Sequence, residues 1–261
     1  MAGAPCLAAR GAYRGGAGLV RVAVPEAIWD IVAVKLDECL TEGLGCGGIF
    51  AKSDFKTLSK SCAWADVIVL GPGLGQAPGT IQLVRRIVSE IDKPMLLDAD
   101  ALNAFQDGAV RQLQKAARKF PRRALVLTPH PGEMARLLGI LPRDVQADRM
   151  NAAQEVAQAT GAVVVLKGAG TLVCDASRIY ENSSGNPGMA TGGTGDVLSG
   201  LIAALGGQGL EAFDAAVLGV YLHGLAGDFA ARRLGEWSLI AGDLIDELPN
   251  AFLSHASRNQ Q

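Results

Sequence analysis

Five short apolar runs recur along the chain with helical stretches between them: "LVRVAV" (19–24), "DVIVL" (66–70), "PMLLD" (94–98), "ALVLT" (124–128) and "AVVVL" (162–166). Near-continuous apolar runs of this length suit strands buried on both faces, and their alternation with helices suits parallel β-α units. A chain patterned this way has few solutions other than an open, mainly parallel α/β sheet covered by helices. Helices are predicted in "TIQLVRRIVSEI" (80–91) and "DVQADRMNAAQEVAQAT" (144–160), where apolar residues return every three or four positions. After the fifth run, "GTLVCD" and "SRIYEN" predict a short antiparallel pair around a turn at Asp175 to Ser177, and residues 195 to 234 read as mostly helical.

No linker, repeat or low-complexity tract interrupts this pattern, so residues 1–261 are expected to form one domain. A chain of 261 residues, 49% of them hydrophobic, can bury one large core. Its 24 lysines and arginines nearly balance 26 acidic residues, which implies no field suited to nucleic acid. The basic string "RKFPRR" (118–123) is expected to be a solvated helix end and loop. No apolar run approaches the roughly 18 residues of a membrane span, and the N-terminus lacks a signal-peptide pattern, so a soluble, cytoplasmic protein is expected. Cys6, Cys39, Cys46, Cys62 and Cys174 are odd in number and form no CxxC pair, which favours buried reduced thiols over disulfides or zinc.

Chemistry collects in the loops after those strands: "GPGLG" (71–75), "ADALN" (99–103), "PHPGE" (129–133) and "KGAGT" (167–171). Ligands of open parallel sheets sit beyond the carboxyl ends of the strands, so these loops are predicted to converge on one crevice. Alone, "GPGLG" is ordinary turn chemistry. Lys167 ends a buried strand, where its ammonium can meet a phosphate or simply reach water. His130, between two prolines, can sit at the rim of a site or serve as a helix N-cap. Three histidines in the whole chain argue against a metal cluster, and no metal ligand is identified.

The stretch "GMATGGTGDVLSG" (188–200) gathers five glycines around Asp196. Behind it, Val197, Leu198, Leu201, Ile202 and Leu205 form a helical stripe, so the loop feeds a helix N-terminus, which attracts anions. An acid in a first helical turn is already good capping. Capping needs one residue, however, and the glycines around it cost conformational entropy without a capping return. Open amides at Gly192, Gly193 and Gly195 beside a carboxylate point to phosphoryl transfer, with Asp196 accepting the proton of an attacking hydroxyl.

Taken together, "GAGLVRVAVPE", "GPGLG", "LLDADALN", "LTPHPGE", "LKGAGTLV", "NPGMATGGTGDVLSG" and "VYLHGLAGDFA" resemble the ADP-dependent NAD(P)H-hydrate dehydratase family of the ribokinase-like superfamily. The resemblance implies a three-layer α/β/α fold. It also implies ADP-dependent dehydration of the S epimer of NADH or NADPH hydrate, by phosphorylation of the 6-hydroxyl and elimination of phosphate, with release of AMP. Carried onto this chain, it makes Asp196 the base and lets Gly193 and Gly195 steady the phosphoryl group. Lys167, Gly168, Ala169, Gly170 and Thr171, with Gly195, would bind the nucleotide; Ala4, Gly73 and His130, with Asp196, would contact the hydrate. Asn186 is assigned from its position as a polar partner for phosphate or Mg2+. Mg2+, ADP as co-substrate, a homo-oligomer (a tetramer by resemblance) and a functional link to an NAD(P)H-hydrate epimerase follow from the same likeness.

One departure stands at the start. The family opens with a strand ahead of a "MPGAA" helix, whereas here Met1 falls within the equivalent of that helix, as "MAGAP". The expectation is a sheet short of its first strand, with an unpaired edge that oligomerisation would cover. Two other readings remain at this point: a vitamin-precursor kinase of the hydroxyethylthiazole kinase type, and a nucleotide-binding protein with impaired catalysis.

Overall fold

The computed structural model describes residues 1–45, 47–106 and 108–258; Cys46 lies outside the described residues. In chain order the elements are α1 (Gly3–Arg14), β1 (Arg21–Pro25), α2 (Trp29–Lys35), β2 (Leu40–Leu44), α3 (Phe55–Trp64), β3 (Ile68–Leu70), α4 (Pro78–Glu90), β4 (Met95–Leu97), α5 (Asp100–Asn103) and α6 (Ala109–Lys119). They continue with β5 (Leu125–Leu127), α7 (Pro131–Leu138), α8 (Pro142–Ala147), α9 (Arg149–Thr160), β6 (Val163–Leu166), β7 (Leu172–Cys174), β8 (Ile179–Glu181), α10 (Thr194–Gly207), α11 (Ala212–Leu234) and α12 (Ala241–Arg258).

Strands β3 to β8 form one six-stranded sheet in sequence order, parallel from β3 to β6 and antiparallel from β6 to β8. Alternation along the strands divides the core into two faces. Met95, Leu97, Leu125, Leu127, Val164 and Leu166 pack against α4, α6, α7 and α9 through Ile87, Leu113, Met134 and Val156. Leu96, Val126, Val163, Val165 and Val173 face Leu198 and Ile202 of α10 and Phe213 and Val220 of α11. The architecture is therefore three layers, α/β/α, as the sequence predicts. Each such side chain contributes about 1.5–3 kcal/mol when fully buried.

The first apolar run behaves differently. Among the described residues, 21–25 pair only with β2, in a separate two-stranded parallel sheet. Between β1 and β3 lies a cavity of about 760 Å³, walled by both strands and by α1, α4 and α10. All three residues of β3 are accordingly only half-buried, whereas those of β4 and β5 are buried. The described sheet is thus divided where β1 and β3 face each other without pairing.

Two further expectations change. The stretch 144–160 is two helices, because Asp148 leaves helical geometry (φ −146°, ψ 76°) and its Oδ1 accepts the Asn151 N–H at 3.0 Å, starting α9. In the basic string, Arg123 is not a solvated side chain: its Nη1 donates to the Val88 and Ile91 carbonyls at 2.6 and 2.9 Å and closes the end of α4. Helix α1 crosses α10 backbone to backbone, since a Cβ at Gly11 would overlap the Val197 carbonyl and one at Gly200 the Ala8 carbonyl. Cys6, Cys62 and Cys174 are buried free thiols and Cys39 is half-buried; burial pushes Cys39 and Cys174 up to about 11. Among the described residues, no helix is long and apolar enough to cross a membrane.

Candidate active site

Strand register brings the loops together. Leu70, Leu97 and Leu127 lie abreast, so the chain leaves the sheet at residues 71, 98 and 128 on one level. Gly71 must be glycine: its φ is +132°, and a Cβ would overlap the Asp98 carbonyl. The Gly75 N–H donates to Asp100 Oδ2 at 2.7 Å, which ties the first loop to the second. The Lys167 N–H donates to the Pro129 carbonyl at 2.9 Å, joining the third loop to the fourth.

Onto this platform α10 presents its first turn. Gly193 caps it in left-handed conformation (φ +94°), and a Cβ there would come within 2.5 Å of Leu7, so this glycine serves the turn and its packing. Gly192 faces open space, and a Cβ at Gly195 would lie 3.4 Å from Lys167 Nζ. Gly188 is glycine for another reason, its close approach to Glu236 and Leu239. The loop is pinned from behind by His223 of α11, whose Nε2 lies 2.9 Å from the Thr194 carbonyl. Burial pushes this imidazole down to about 4, so it is neutral at pH 7 and donates.

Asp196 is half-buried in that turn, and among the described residues none donates a hydrogen bond to it. Burial pushes its carboxyl up to about 6; the Asp98 carboxylate adds to this, the Lys167 ammonium opposes it, and Asp100 adds a smaller share. A carboxylate with that proton affinity is ionised at pH 7 yet basic enough to take a proton.

Lys167 does not stand free at its strand end. Its Nζ donates to Asp98 Oδ1 at 2.7 Å and lies 3.9 Å from Glu133 Oε2. Gly168 and Gly170 turn the following loop away (φ +143° and +58°), and Thr171 Oγ1 donates to the Gly168 carbonyl at 2.9 Å. Arg149 holds this loop from below, donating to the carbonyls of Ala169 and Leu166. His130 is the N-cap of α7: its Nδ1 accepts from Gly132 N–H at 3.0 Å, while Glu133 Oε2 accepts the His130 N–H at 2.8 Å. Its side chain is half-exposed, with Nε2 3.4 Å from Glu133 Oε1, and burial holds the imidazole below its ordinary value.

Ala4 and Gly73 are brought together, with the Ala4 Cβ 3.2 Å from where a Gly73 Cβ would be and the Met1 amine donating to the Gly73 carbonyl at 2.7 Å. Asn186 is committed locally: its Nδ2 donates to Asp228 Oδ1 at 3.0 Å and its Oδ1 accepts the Gly188 N–H at 3.1 Å. Sequence reasoning gave no role to Asp98, Asp100, Arg149 or His223; it placed Glu133 at the positive end of a helix begun by Pro131, where the structure has it. For Asp98 the signal was a carboxylate ending an otherwise apolar strand, "PMLLD". For Arg149 there was none. Among the described residues no group of three or more His, Cys, Asp or Glu side chains forms a metal cage.

Comparison with known proteins adds an independent finding. A family model described as NAD(P)H-hydrate dehydratase matches residues 1–250. The bifunctional NAD(P)H-hydrate repair enzyme Nnr of Moorella thermoacetica is 45% identical over 252 residues, which cover 95% of this chain and 46% of that protein. This chain thus spans less than half the length of that relative. The ADP-dependent (S)-NAD(P)H-hydrate dehydratase of Neisseria meningitidis serogroup B is 44% identical over 180 residues, or 67% of this chain and 59% of that one. Among solved structures, an ADP/ATP-dependent NAD(P)H-hydrate dehydratase from Bacillus subtilis, co-crystallised with ATP and Mg2+ and soaked with CoA, superposes with a TM-score of 0.79 at 29% identity, covering 97% of this chain and 87% of that one.

Proposed function

Because the chain belongs to the NAD(P)H-hydrate dehydratase family, we propose that it repairs hydrated nicotinamide nucleotides by ADP-dependent dehydration of the S epimer of NADH or NADPH hydrate. The observation that carries this reading is Asp196: a half-buried carboxylate raised to about 6, on the first turn of a glycine-capped helix, beside Asp98, Asp100 and Lys167 of two strand-end loops.

In this mechanism Asp196 takes the proton of the hydrate 6-hydroxyl as that oxygen attacks the β-phosphorus of ADP. The bridging P–O bond breaks and AMP leaves. The ring C–O bond then breaks, phosphate departs with its electron pair, and loss of a proton from the adjacent ring carbon C5 to water forms the C5=C6 double bond and restores the reduced nicotinamide. Amides at Gly193 and Gly195 steady the transferring group, and the segment from Lys167 through Gly168, Ala169 and Gly170 to Thr171 seats the nucleotide. Ala4, Gly73 and His130 line the hydrate side. With no protein cage among the described residues, Mg2+ would arrive on the nucleotide, held chiefly by phosphate oxygens, and supply charge neutralisation there. The setting that accompanies this reading is one domain acting in the cytoplasm as a homo-oligomer, linked to an NAD(P)H-hydrate epimerase; the names of the bifunctional relatives support that link. A family match over residues 1–250 supports a dehydratase over a vitamin-precursor kinase.

The test is direct. NADH hydrate incubated with the protein, ADP and Mg2+ is expected to regain the absorbance of reduced nicotinamide, with AMP and phosphate formed in equal amounts. Folded protein that yields no such rise would overturn the reading.

A further inference from the structure

Asp98 is nearly inaccessible, at 1% exposure, yet lies at the meeting point of three functional segments. Its Oδ1 accepts from Lys167 Nζ at 2.7 Å, at the end of β6, and its Oδ2 accepts from Ser199 Oγ at 2.8 Å. Ser199 is itself fully buried on α10, and its Oγ also lies 3.0 Å from the Gly195 carbonyl in the turn that carries Asp196. The next residue, Ala99, has φ +47°, and no other non-glycine among the described residues has a positive φ. A buried carboxylate beside a strained backbone brings no stability over a well-packed apolar residue, so its retention asks for another reason.

We propose that Asp98 is a positioning residue for the reaction, locking the Lys167 ammonium at the end of β6 to the first two turns of α10 and so holding Asp196 at a fixed distance from that ammonium. The inference rests on the dehydratase reading for its consequence in turnover. Its physical content is a triangle of two carboxylates and one ammonium. While Asp98 holds Lys167, the ammonium only partly offsets the burial of Asp196. The charged and titratable groups facing this triangle are Asp100 of α5, His130 and Glu133 of α7, and His223 of α11. Replacing Asp98 by Asn removes a like charge from beside Asp196 and frees the ammonium toward it, and both changes act in the same direction.

The titration of Asp196 can be read without turnover, by NMR of protein labelled at the aspartate side-chain carboxyl carbon, its signal assigned by loss in Asp196→Asn. The wild-type midpoint is expected near 6. In Asp98→Asn it is expected to fall toward the ordinary carboxylate value of about 4, and the acid limb of kcat/KM to move down with it. A midpoint that stays or rises overturns the proposal. Ser199→Ala keeps the charge and loses the tether: the midpoint is expected to hold, while kcat falls about tenfold with the KM for ADP unchanged. Unchanged kcat in Ser199→Ala overturns the proposal even where Asp98→Asn does not fold. Wild-type protein without turnover would instead end the dehydratase reading, and the NMR titration would decide the coupling by itself.

Discussion

The runs that form β3 to β6 and the run that forms β1 share an apolar pattern and do different things. In the six-stranded sheet, β4, β5 and β6 are buried on both faces, and the loops at their carboxyl ends carry Asp98, His130 and Lys167. The β1–β2 pair has its own small core with α1 and α2, through Cys6, Val22, Val24 and Val32, and is parted from the larger sheet by the cavity. Apolar residues alone bring a strand into the interior. Continuous pairing is what levels the strand ends and aligns loops into a site.

The largest expected effect lies in the six-stranded half. Asp196→Asn should lower kcat by about 10²–10⁴, the range for loss of a general base, while Leu40→Ala on the exposed edge of β2 leaves it within about twofold. Equal losses from both would erase the functional contrast. The same Asp196→Asn should raise the melting temperature at pH 7. Its carboxyl is raised from 3.8 to about 6 on folding, so its ionisation opposes folding fully above the higher value and not at all below the lower one. The gain should therefore vanish as melting is repeated toward pH 4.

Next in size is packing. Leu96→Ala, in the buried centre of the sheet, should cost about 2–5 kcal/mol by denaturant unfolding, whereas Val69→Ala beside the cavity should cost about 1 kcal/mol or less. Similar costs at both sites would mean that the cavity does not relieve β3 of its packing. Hydrogen exchange sharpens the same point: amides of β4 and β5 should open only with global unfolding, and those of β1 and the cavity side of β3 well before it. The smallest effect is local, since Ala99→Gly should add about 1 kcal/mol or less by relieving the positive φ.

How far the sequence reveals this contrast can be judged from particular elements. The runs at 94–98, 124–128 and 162–166 are apolar because they are covered on both faces, and each of them, like the half-buried run at 66–70, contains a strand of the sheet. "LVRVAV" is apolar apart from the exposed Arg21, and nothing in it encodes which edge it pairs with. Strand β2 is nearly illegible, since "LTEGL" buries only its last residue. The loops were readable as a set because strand ends fall on one level, whichever residues they carry. Two features escaped for physical reasons: Arg149 acts through carbonyls, which any loop offers, and Asp98 through a lysine 69 residues away. Lys167 itself had two readings, and neither named the carboxylate it holds.

The crossing of α1 over α10 leaves no slack. Gly11 and Gly200 put main chain directly on main chain, so no flexible side chain can absorb play between the two helices. Helix α1 walls the cavity on one side, and α10 begins with the turn that carries Asp196. The two are geared together without backlash, and a tilt that widened or narrowed the cavity would reach the acid as a change of aim.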